Sequence, residues 1–148
     1  MRALIQRVKN ASVTVEEETV GQIEQGLLVF LGVMKSDGDE DLKWICNKIT
    51  NLRIFPDNTG KMNHSVVDQE GAILLVSQFT LCADMKKGTR PSFSSAMEPK
   101  EAQKICQQAV RMLSDRVNVE EGRFGAMMDV SLVNDGPVTI WLDSDRPS

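Results

Sequence analysis

The chain has 148 residues, with 17 lysines and arginines against 21 aspartates and glutamates, so its formal net charge is −4. Hydrophobic residues make up 41% and charged residues 26%, a mix that is typical of one globular domain and excludes disordered, collagen-like and coiled-coil proteins. The acidic total also argues against a protein that wraps long nucleic acid, because wrapping requires many cations opposite the phosphates.

The cysteine content and the absence of long apolar runs predict a cytoplasmic protein. Cys46, Cys82 and Cys106 are an odd number without C-x-x-C spacing, which favours free thiols over a disulfide framework or a zinc site. The longest apolar stretch, residues 27–34, is far shorter than the roughly 20 residues that cross a bilayer. P-loop, dinucleotide-binding and zinc-protease motifs are missing, so we expect neither a metal nor a cofactor.

The first third of the chain predicts β-strands followed by a helix. Apolar and β-branched runs at residues 3–8, 12–15, 20–23 and 27–33 are separated by polar residues and glycines. Asp37 and Glu40 then have the spacing of a capping box. Apolar residues follow at helical spacing on one face, namely Leu42, Ile45, Cys46, Ile49 and Leu52.

The rest of the chain predicts a central strand, a second helix and two final strands. Residues 72–79 include a run that is hydrophobic on both faces, which is typical of a strand covered on both sides. Pro99 opens the second helix. Its apolar face comprises Ala102, Ile105, Cys106, Ala109 and Leu113. The last strands, residues 126–132 and 138–142, flank Gly136-Pro137, which is typical of a hairpin turn. This order predicts an α+β fold with a mixed sheet, as a single domain over residues 1–148.

Polar residues at the end of the central strand form a candidate site. The apolar run gives way to Ser77, Gln78 and Thr80. Strand periodicity places Ser77 with Phe79 on one face and Gln78 with Thr80 on the other. Open sheets bind ligands beyond the carboxyl ends of their strands, although a strand that emerges into solvent has the same pattern.

Two other segments have possible functions. Lys86, Lys87 and Arg90 form a basic loop that could bind a phosphate or a carboxylate, or could be a solvated turn. His64 is the single histidine and could act as a base for Ser77. No G-x-S-x-G sequence supports that arrangement, and histidines in polar loops are usually solvated.

Six short segments in the same order resemble the D-aminoacyl-tRNA deacylase family, which hydrolyses D-amino acids from mischarged tRNA. The resemblance runs from end to end of the chain. The segments are residues 5–8 (IQRV), 52–55 (LRIF), 77–81 (SQFTL), 88–93 (GTRPSF), 122–128 (GRFGAMM) and 134–139 (NDGPVT).

The resemblance implies a compact, barrel-like homodimer with two main helices. Two active sites would lie at the subunit interface, each holding the terminal adenosine of a tRNA and its esterified amino acid. The family's pocket-lining motif corresponds to Ser77, Gln78, Phe79 and Thr80.

The other matched residues have implied roles in selectivity and in RNA binding. Gly136-Pro137 matches a Gly-cis-Pro motif that reaches in from the partner subunit and rejects L-aminoacyl-tRNA, and Arg7 matches an arginine beside it. The segment expected near the terminal adenine contains Phe124, Ala126 and Met128. Lys86, Lys87 and Arg90 could supply the few cations that an acceptor end needs. D-aminoacyl-tRNA and glycyl-tRNA are the implied substrates.

An aminoacyl ester is already activated, so its hydrolysis requires a held water and an oxyanion donor more than a strong nucleophile. Thr80 is the first side chain to consider as a nucleophile, but no base is visible to activate it. We therefore expect the backbone amides around Phe79 and Thr80 to form the oxyanion site, with the ribose 2′-OH helping to orient water. Two alternatives remain: a noncatalytic dimer that binds RNA ends or nucleotides, and a Ser/Thr esterase for small molecules.

Overall fold

The computed structural model describes residues 1–145, which form eight β-strands, two α-helices and one 3₁₀ helix. The helices are α1 (Asp39–Asn51), the 3₁₀ helix (Phe79–Cys82) and α2 (Pro99–Ser114). The strands are β1 (Arg2–Val15), β2 (Glu18–Ile23), β3 (Gly26–Gly32), β4 (Phe55–Pro56), β5 (Met62–His64), β6 (Ala72–Ser77), β7 (Asn118–Glu121) and β8 (Asp129–Asp143).

One mixed sheet of six strands forms the body of the protein, in the order β2-β1-β3-β6-β7, with β8 also paired to β1. Strand β1 is antiparallel to its partners, whereas β3, β6 and β7 run parallel to one another. The two ends of the sheet approach closely, since a Cβ on Gly21 of β2 would lie 2.5 Å from the carbonyl oxygen of Glu121 in β7. The predicted α+β fold with a mixed, barrel-like sheet and two main helices is confirmed.

The sheet is covered on both faces, as predicted for its central strand. In β6, Ile73 and Leu75 pack in the cluster that includes the two α-helices, whereas Leu74 and Val76 pack in a second cluster inside the curved sheet. All four side chains are buried. Burial on alternate faces explains why this run is hydrophobic at every position.

Two predicted chain breaks are wrong. The predicted strands 3–8 and 12–15 are one strand, β1, and the predicted strands 126–132 and 138–142 are parts of β8, which begins at Asp129. Gly136 and Pro137 therefore do not form a hairpin turn. Because β1 and β8 lie side by side along nearly their whole length, the polar residues inside each strand stay in the ladder.

The ladder between β1 and β8 contains a bulge at the Gly-Pro pair. Gln6 pairs with Thr139 and Val8 pairs with Asn134, so residues 135–138 lie opposite Arg7 alone. A bulge leaves extra residues unpaired and aims them away from the sheet. Gly136 and Pro137 are exposed at this position.

The central strand is shorter than predicted, since β6 ends at Ser77 and the chain turns into the 3₁₀ helix. The predicted placement of Ser77 and Phe79 on one strand face, with Gln78 and Thr80 on the other, is therefore wrong, because a period of two holds only within a strand. Strands β4, β5 and β7 were not predicted, since each has at most four residues.

The two predicted helices are confirmed, with a correction to the start of α1. The cap is one residue later than predicted: the Gly38 amide donates to Oδ2 of Asp41 at 2.8 Å. Asp37 instead accepts from the Met1 ammonium group at 2.6 Å. Helix α2 begins at Pro99 as predicted. Neither helix among the described residues is long and apolar enough to cross a membrane.

Candidate active site

A cavity of about 650 Å³ opens at the carboxyl end of β6. Its walls come from the ends of β3 and β6, the first turns of α2 and residues 124–130. Predicted site residues that line it are Ser77, Gln78, Phe79, Phe124, Ala126 and Met128. The end of the central strand thus borders a cavity, and the fold brings two segments of the sequence, about 50 residues apart, to the same place.

Two aromatic rings flank the cavity. Phe79 is 59% exposed although it is large and apolar, and its ring lies 5.0 Å from that of Phe93 in an edge-to-face arrangement. Phe93 belongs to the matched segment 88–93 and also lines the cavity. Exposed aromatic surface of this kind can stack on a nucleobase or contact an apolar side chain of a ligand.

The 3₁₀ helix presents two free backbone donors beside the cavity. The Gln78 amide donates to the carbonyl of Leu31 at 2.8 Å, and the Leu81 amide donates to the carbonyl of Gln78 at 3.2 Å. Between them, the amides of Phe79 and Thr80 have no acceptor within residues 1–145. The first amides of a helix have no partner within it, so these two N–H groups are available to a ligand.

The hydroxyl of Thr80 has a neighbour that does not activate it. It accepts a hydrogen bond from the side-chain amide of Gln78, a group that cannot remove a proton. His64 lies in β5, with Nδ1 3.8 Å from Oδ2 of Asp68, and it is not among the residues that line the cavity. The hypothesis of a His64-assisted Ser77 therefore receives no support from the structure.

Cys106 is the remaining candidate nucleophile in the cavity wall. Burial raises the pKa of its thiol to about 11, and the nearby carboxylate of Glu121 acts in the same direction. Because the thiolate is the nucleophilic form, Cys106 is unreactive near neutral pH. The cavity therefore combines backbone donors with mostly apolar walls that also include the polar side chains of Ser77, Gln78 and Glu98.

Arg7 supports the bulge that carries Gly136 and Pro137. Its Nε donates to the carbonyl of Asp135 at 3.1 Å, and its Nη1 donates to the carbonyl of Ile54 at 2.5 Å. A Cβ on Gly136 would lie 3.0 Å from Nη2 of Arg7, and Gly136 has a φ of +127°, which favours glycine. The peptide bond between Gly136 and Pro137 is cis. These three residues do not line the cavity of their own chain.

The basic loop is closed at its base and open at its tip. Asp84 and Ser92 exchange two backbone hydrogen bonds, at 2.8 and 3.0 Å. Lys86, Lys87 and Arg90 are exposed, and none of them forms an ion pair with a carboxylate in the described part of the chain. Their charges are therefore available to an anion, although the loop lies outside the cavity lining.

Several cavity residues were not predicted as site residues. Helix α2 and the segment before it contribute six of these, which are Ala96, Met97, Glu98, Pro99, Ala102 and Cys106. The helical spacing of Ala102 and Cys106 predicts packing in the core. Both side chains do pack in or against the core, but both also line the cavity. The one signal that the start of this helix lies near the site was the position of Pro99, six residues after the matched segment 88–93.

Among residues 1–145, one group of carboxylates lies close enough together to consider as a metal site, namely Asp37, Asp41 and Asp145. Burial raises the pKa of Asp37, which already pairs with the Met1 ammonium group. Hydrogen bonds from Ser144 and from the Gly38 amide lower the pKa of Asp41. Asp37 thus pairs with the protein's own buried ammonium group, and Asp41 is linked to that group through Ser144.

Comparisons with known proteins agree with this geometry. A sequence model of the family described as D-Tyr-tRNA(Tyr) deacylase matches residues 4–143. The chain is 56% identical to a D-aminoacyl-tRNA deacylase of Thermosipho africanus (strain TCF52B), over 99% of both chains. It is similar to a solved structure described as c-Myc DNA Unwinding Element Binding Protein, with a TM-score of 0.93, 40% identity and full coverage of both chains. A probable eukaryotic D-amino acid tRNA deacylase shares the fold, with a TM-score of 0.80 at 17% identity over 95% of this chain and 97% of that one.

Proposed function

The chain belongs to the D-Tyr-tRNA(Tyr) deacylase family and hydrolyses the ester bond of D-aminoacyl-tRNA, and from this premise we propose its mechanism. The proposal covers how the protein binds its substrate, how it rejects L-amino acids and how it activates water. The observation that carries the proposal is the cavity lined by Phe79 and by the segment around Phe124, next to the 3₁₀ helix whose amides at Phe79 and Thr80 have no acceptor among residues 1–145. The terminal adenosine lies against Phe124, Ala126 and Met128, and the ester carbonyl faces the two amides.

The reaction is a direct attack by water. The water oxygen forms a bond to the ester carbon, the bond to the ribose oxygen breaks, and the proton released by the water ends on that ribose oxygen. The amides of Phe79 and Thr80 hold the negative charge that develops on the carbonyl oxygen, a contribution worth about 10²–10³ in rate for each donor in other enzymes. The adjacent 2′-OH of the substrate orients the water.

Selectivity against L-amino acids comes from steric exclusion in a homodimer. Gly136 and Pro137 are exposed on the single chain, so their backbone can enter the cavity of a second subunit. With the ester and the amino group held, an L side chain meets this backbone while a D side chain points away. Rejection by a clash can discriminate between ligands that attraction cannot separate. Such a site accepts glycine as well as many D-amino acids.

The basic loop holds the phosphate backbone near the acceptor end. Lys86, Lys87 and Arg90 supply a few local cations on an acidic protein, which limits nonspecific binding to the rest of the RNA. The free thiols of Cys46, Cys82 and Cys106 suit a reducing compartment, and we place the reaction in the cytoplasm, where tRNA is charged.

Release of the amino acid from D-tyrosyl-tRNA, L-tyrosyl-tRNA and a simple tyrosyl ester tests the activity and its selectivity. We expect rapid release from the D-tyrosyl-tRNA and at least about 100-fold slower release from the L form, because a backbone clash costs several kcal/mol. Glycyl-tRNA should behave as a substrate. Hydrolysis of both tyrosyl-tRNAs at the same rate would contradict the exclusion mechanism.

The same experiment separates two other functions. The 40%-identical structure is described as a DNA-element binding protein, so nucleic-acid binding without catalysis is the second candidate. Binding of the charged tRNA without release of the amino acid would support it. Rapid hydrolysis of the simple ester, with no need for a tRNA end, would indicate a small-molecule esterase instead.

Replacing Arg7 with methionine should reduce both stability and selectivity. The change leaves the carbonyls of Ile54 and Asp135 without their donor, which should lower the free energy of unfolding by about 1–3 kcal/mol. The bulge then loses its support, and we expect the ratio of kcat/KM for D- over L-tyrosyl-tRNA to fall about 10-fold. Lys9→Met, on the same strand but exposed, is the control and should change neither quantity. An unchanged ratio for Arg7→Met would contradict the proposed role of the bulge.

A further inference from the structure

One rung of the sheet lies directly beneath the 3₁₀ helix. In this rung, Arg2 of β1 pairs with Gly32 of β3 on one side and with Asp143 of β8 on the other. The 3₁₀ helix packs against Gly32, where a Cβ would lie 3.0 Å from the carbonyl oxygen of Gln78 and 3.0 Å from Cβ of Leu81. Glycine therefore lets the backbone of the 3₁₀ helix approach the end of β3.

Arg2 extends from this rung to the 3₁₀ helix. Its Nη1 donates to the carbonyl of Leu81 at 2.8 Å. On the sheet side, its Nε lies 3.4 Å from Oδ2 of Asp143 and its guanidinium carbon lies 5.9 Å from the ring centre of Trp141. The guanidinium is thus fixed by the sheet, and its hydrogen bond to Leu81 connects the sheet to the helix that carries the candidate oxyanion donors.

The bond to Leu81 restricts the orientation of the whole 3₁₀ turn. The Leu81 amide donates to the carbonyl of Gln78, so the peptide units of residues 78–81 form one hydrogen-bonded ring. The Leu81 carbonyl points out of that ring to Arg2. Fixing one end of so short a turn also fixes the direction of the amides of Phe79 and Thr80.

We propose that Arg2 is a positioning residue for ester hydrolysis, which it supports by holding the 3₁₀ helix so that the amides of Phe79 and Thr80 face the reacting carbonyl. This inference rests on the proposed function. Arg2 does not line the cavity, so it acts through the helix and does not touch the substrate. Oxyanion donors must be held within about 0.5 Å and 10–20° of their working geometry, and a misplacement of about 1 Å costs on the order of 10²-fold in rate.

The test compares Arg2→Met, Arg2→Lys and the control Lys9→Met, which removes an exposed cation from the same strand, on the full chain. Methionine keeps much of the apolar stem and removes the donor, so kcat for D-tyrosyl-tRNA should fall about 10-fold while KM stays within about 2-fold. Hydrogen exchange at the Leu81 and Ala83 amides, which donate to the carbonyls of Gln78 and Thr80, should become faster. Lysine can still donate to the Leu81 carbonyl and should restore kcat to within about 3-fold. Lys9→Met leaves the bond between Arg2 and Leu81 in place and should keep kcat within about 2-fold.

The outcomes distinguish this inference from the proposed function. A wild-type protein that does not release D-tyrosine would refute the proposed function. An active wild-type protein whose Arg2→Met variant keeps its kcat and its exchange rates would refute the role of Arg2 alone. That role would also be refuted if Arg2→Met lost kcat and Tm while hydrogen exchange at the Leu81 and Ala83 amides kept its wild-type rate, because the residue would then serve only the stability of the sheet.

Discussion

Replacing Thr80 with proline is expected to lower kcat for D-tyrosyl-tRNA by about 10²–10³-fold, whereas replacing it with valine should leave kcat within about 3-fold. Valine removes the hydroxyl but keeps the backbone N–H, which is one of the two proposed oxyanion donors. Proline removes both. Proline is tolerated in the first turn of a helix, where the N–H has no acceptor within the helix, so the fold should survive the change.

Single-turnover release of labelled D-tyrosine, measured together with Tm and circular dichroism, distinguishes loss of the donor from loss of the fold. Phe79 precedes the new proline and is pushed away from helical angles, so Tm must be shown to stay within a few degrees of the wild-type value. Loss of turnover in Thr80→Val and Thr80→Ala, with substrate binding intact, would show that the hydroxyl is the nucleophile. Full activity of Thr80→Pro would show that its amide is not a donor.

Replacing Gly26 with alanine is expected to lower the free energy of unfolding by more than about 3 kcal/mol, a large part of the roughly 5–15 kcal/mol that stabilises a domain. Gly26 begins β3 and pairs with Ala72, the first residue of β6. A Cβ at Gly26 would lie 1.8 Å from the carbonyl oxygen of Ala72. The added Cβ would meet backbone atoms of the adjacent strand where two inner strands of the sheet begin, so the clash cannot be relieved without separating those strands.

Urea unfolding of Gly26→Ala and of Gly38→Ala, a matched control, measures this effect. Gly38 precedes α1 with a φ of −131°, and a Cβ there would meet nothing within 4 Å. Because alanine is a poorer helix cap than glycine, we expect the control to lose up to about 1 kcal/mol. Equal stabilities for the two variants would mean that β3 and β6 can separate at Gly26 at little cost. Such a result would contradict the close backbone pairing of β3 with β6 at Gly26 and Ala72.

Half of the candidate site could be predicted from local patterns. The change from apolar to polar residues at Ser77 marked the end of a buried strand, and the structure places the cavity there. The walls formed by Ala102 and Cys106 could not be predicted in the same way. Their spacing is that of any helix face, and only the packing of α2 against the end of β6 makes that face part of a pocket.

The long strands show a second limit of local patterns. Polar residues near Asn10 and the Gly136-Pro137 pair each predicted an interruption, since such residues usually end strands. In the fold, β1 and β8 support each other across both positions, and the excess residues opposite Arg7 form a bulge. A bulge forms where one strand has more residues than its partner between two paired positions. The sequence of one strand alone does not show this difference.

The sequence by itself determined the fold class, the two helices, the doubly covered central strand and the family, because each follows from hydrophobic period or from short motifs in a matching order. The tertiary structure alone decided that Gly26 and Gly32 are needed for close backbone approach, that Arg7 supports the bulge and that Arg2 reaches the 3₁₀ helix. The physical reason is the distance along the chain over which each kind of interaction acts. Period and propensity act between residues a few positions apart, whereas these contacts join atoms that are 46 or more residues apart in the chain and become neighbours only when the sheet assembles.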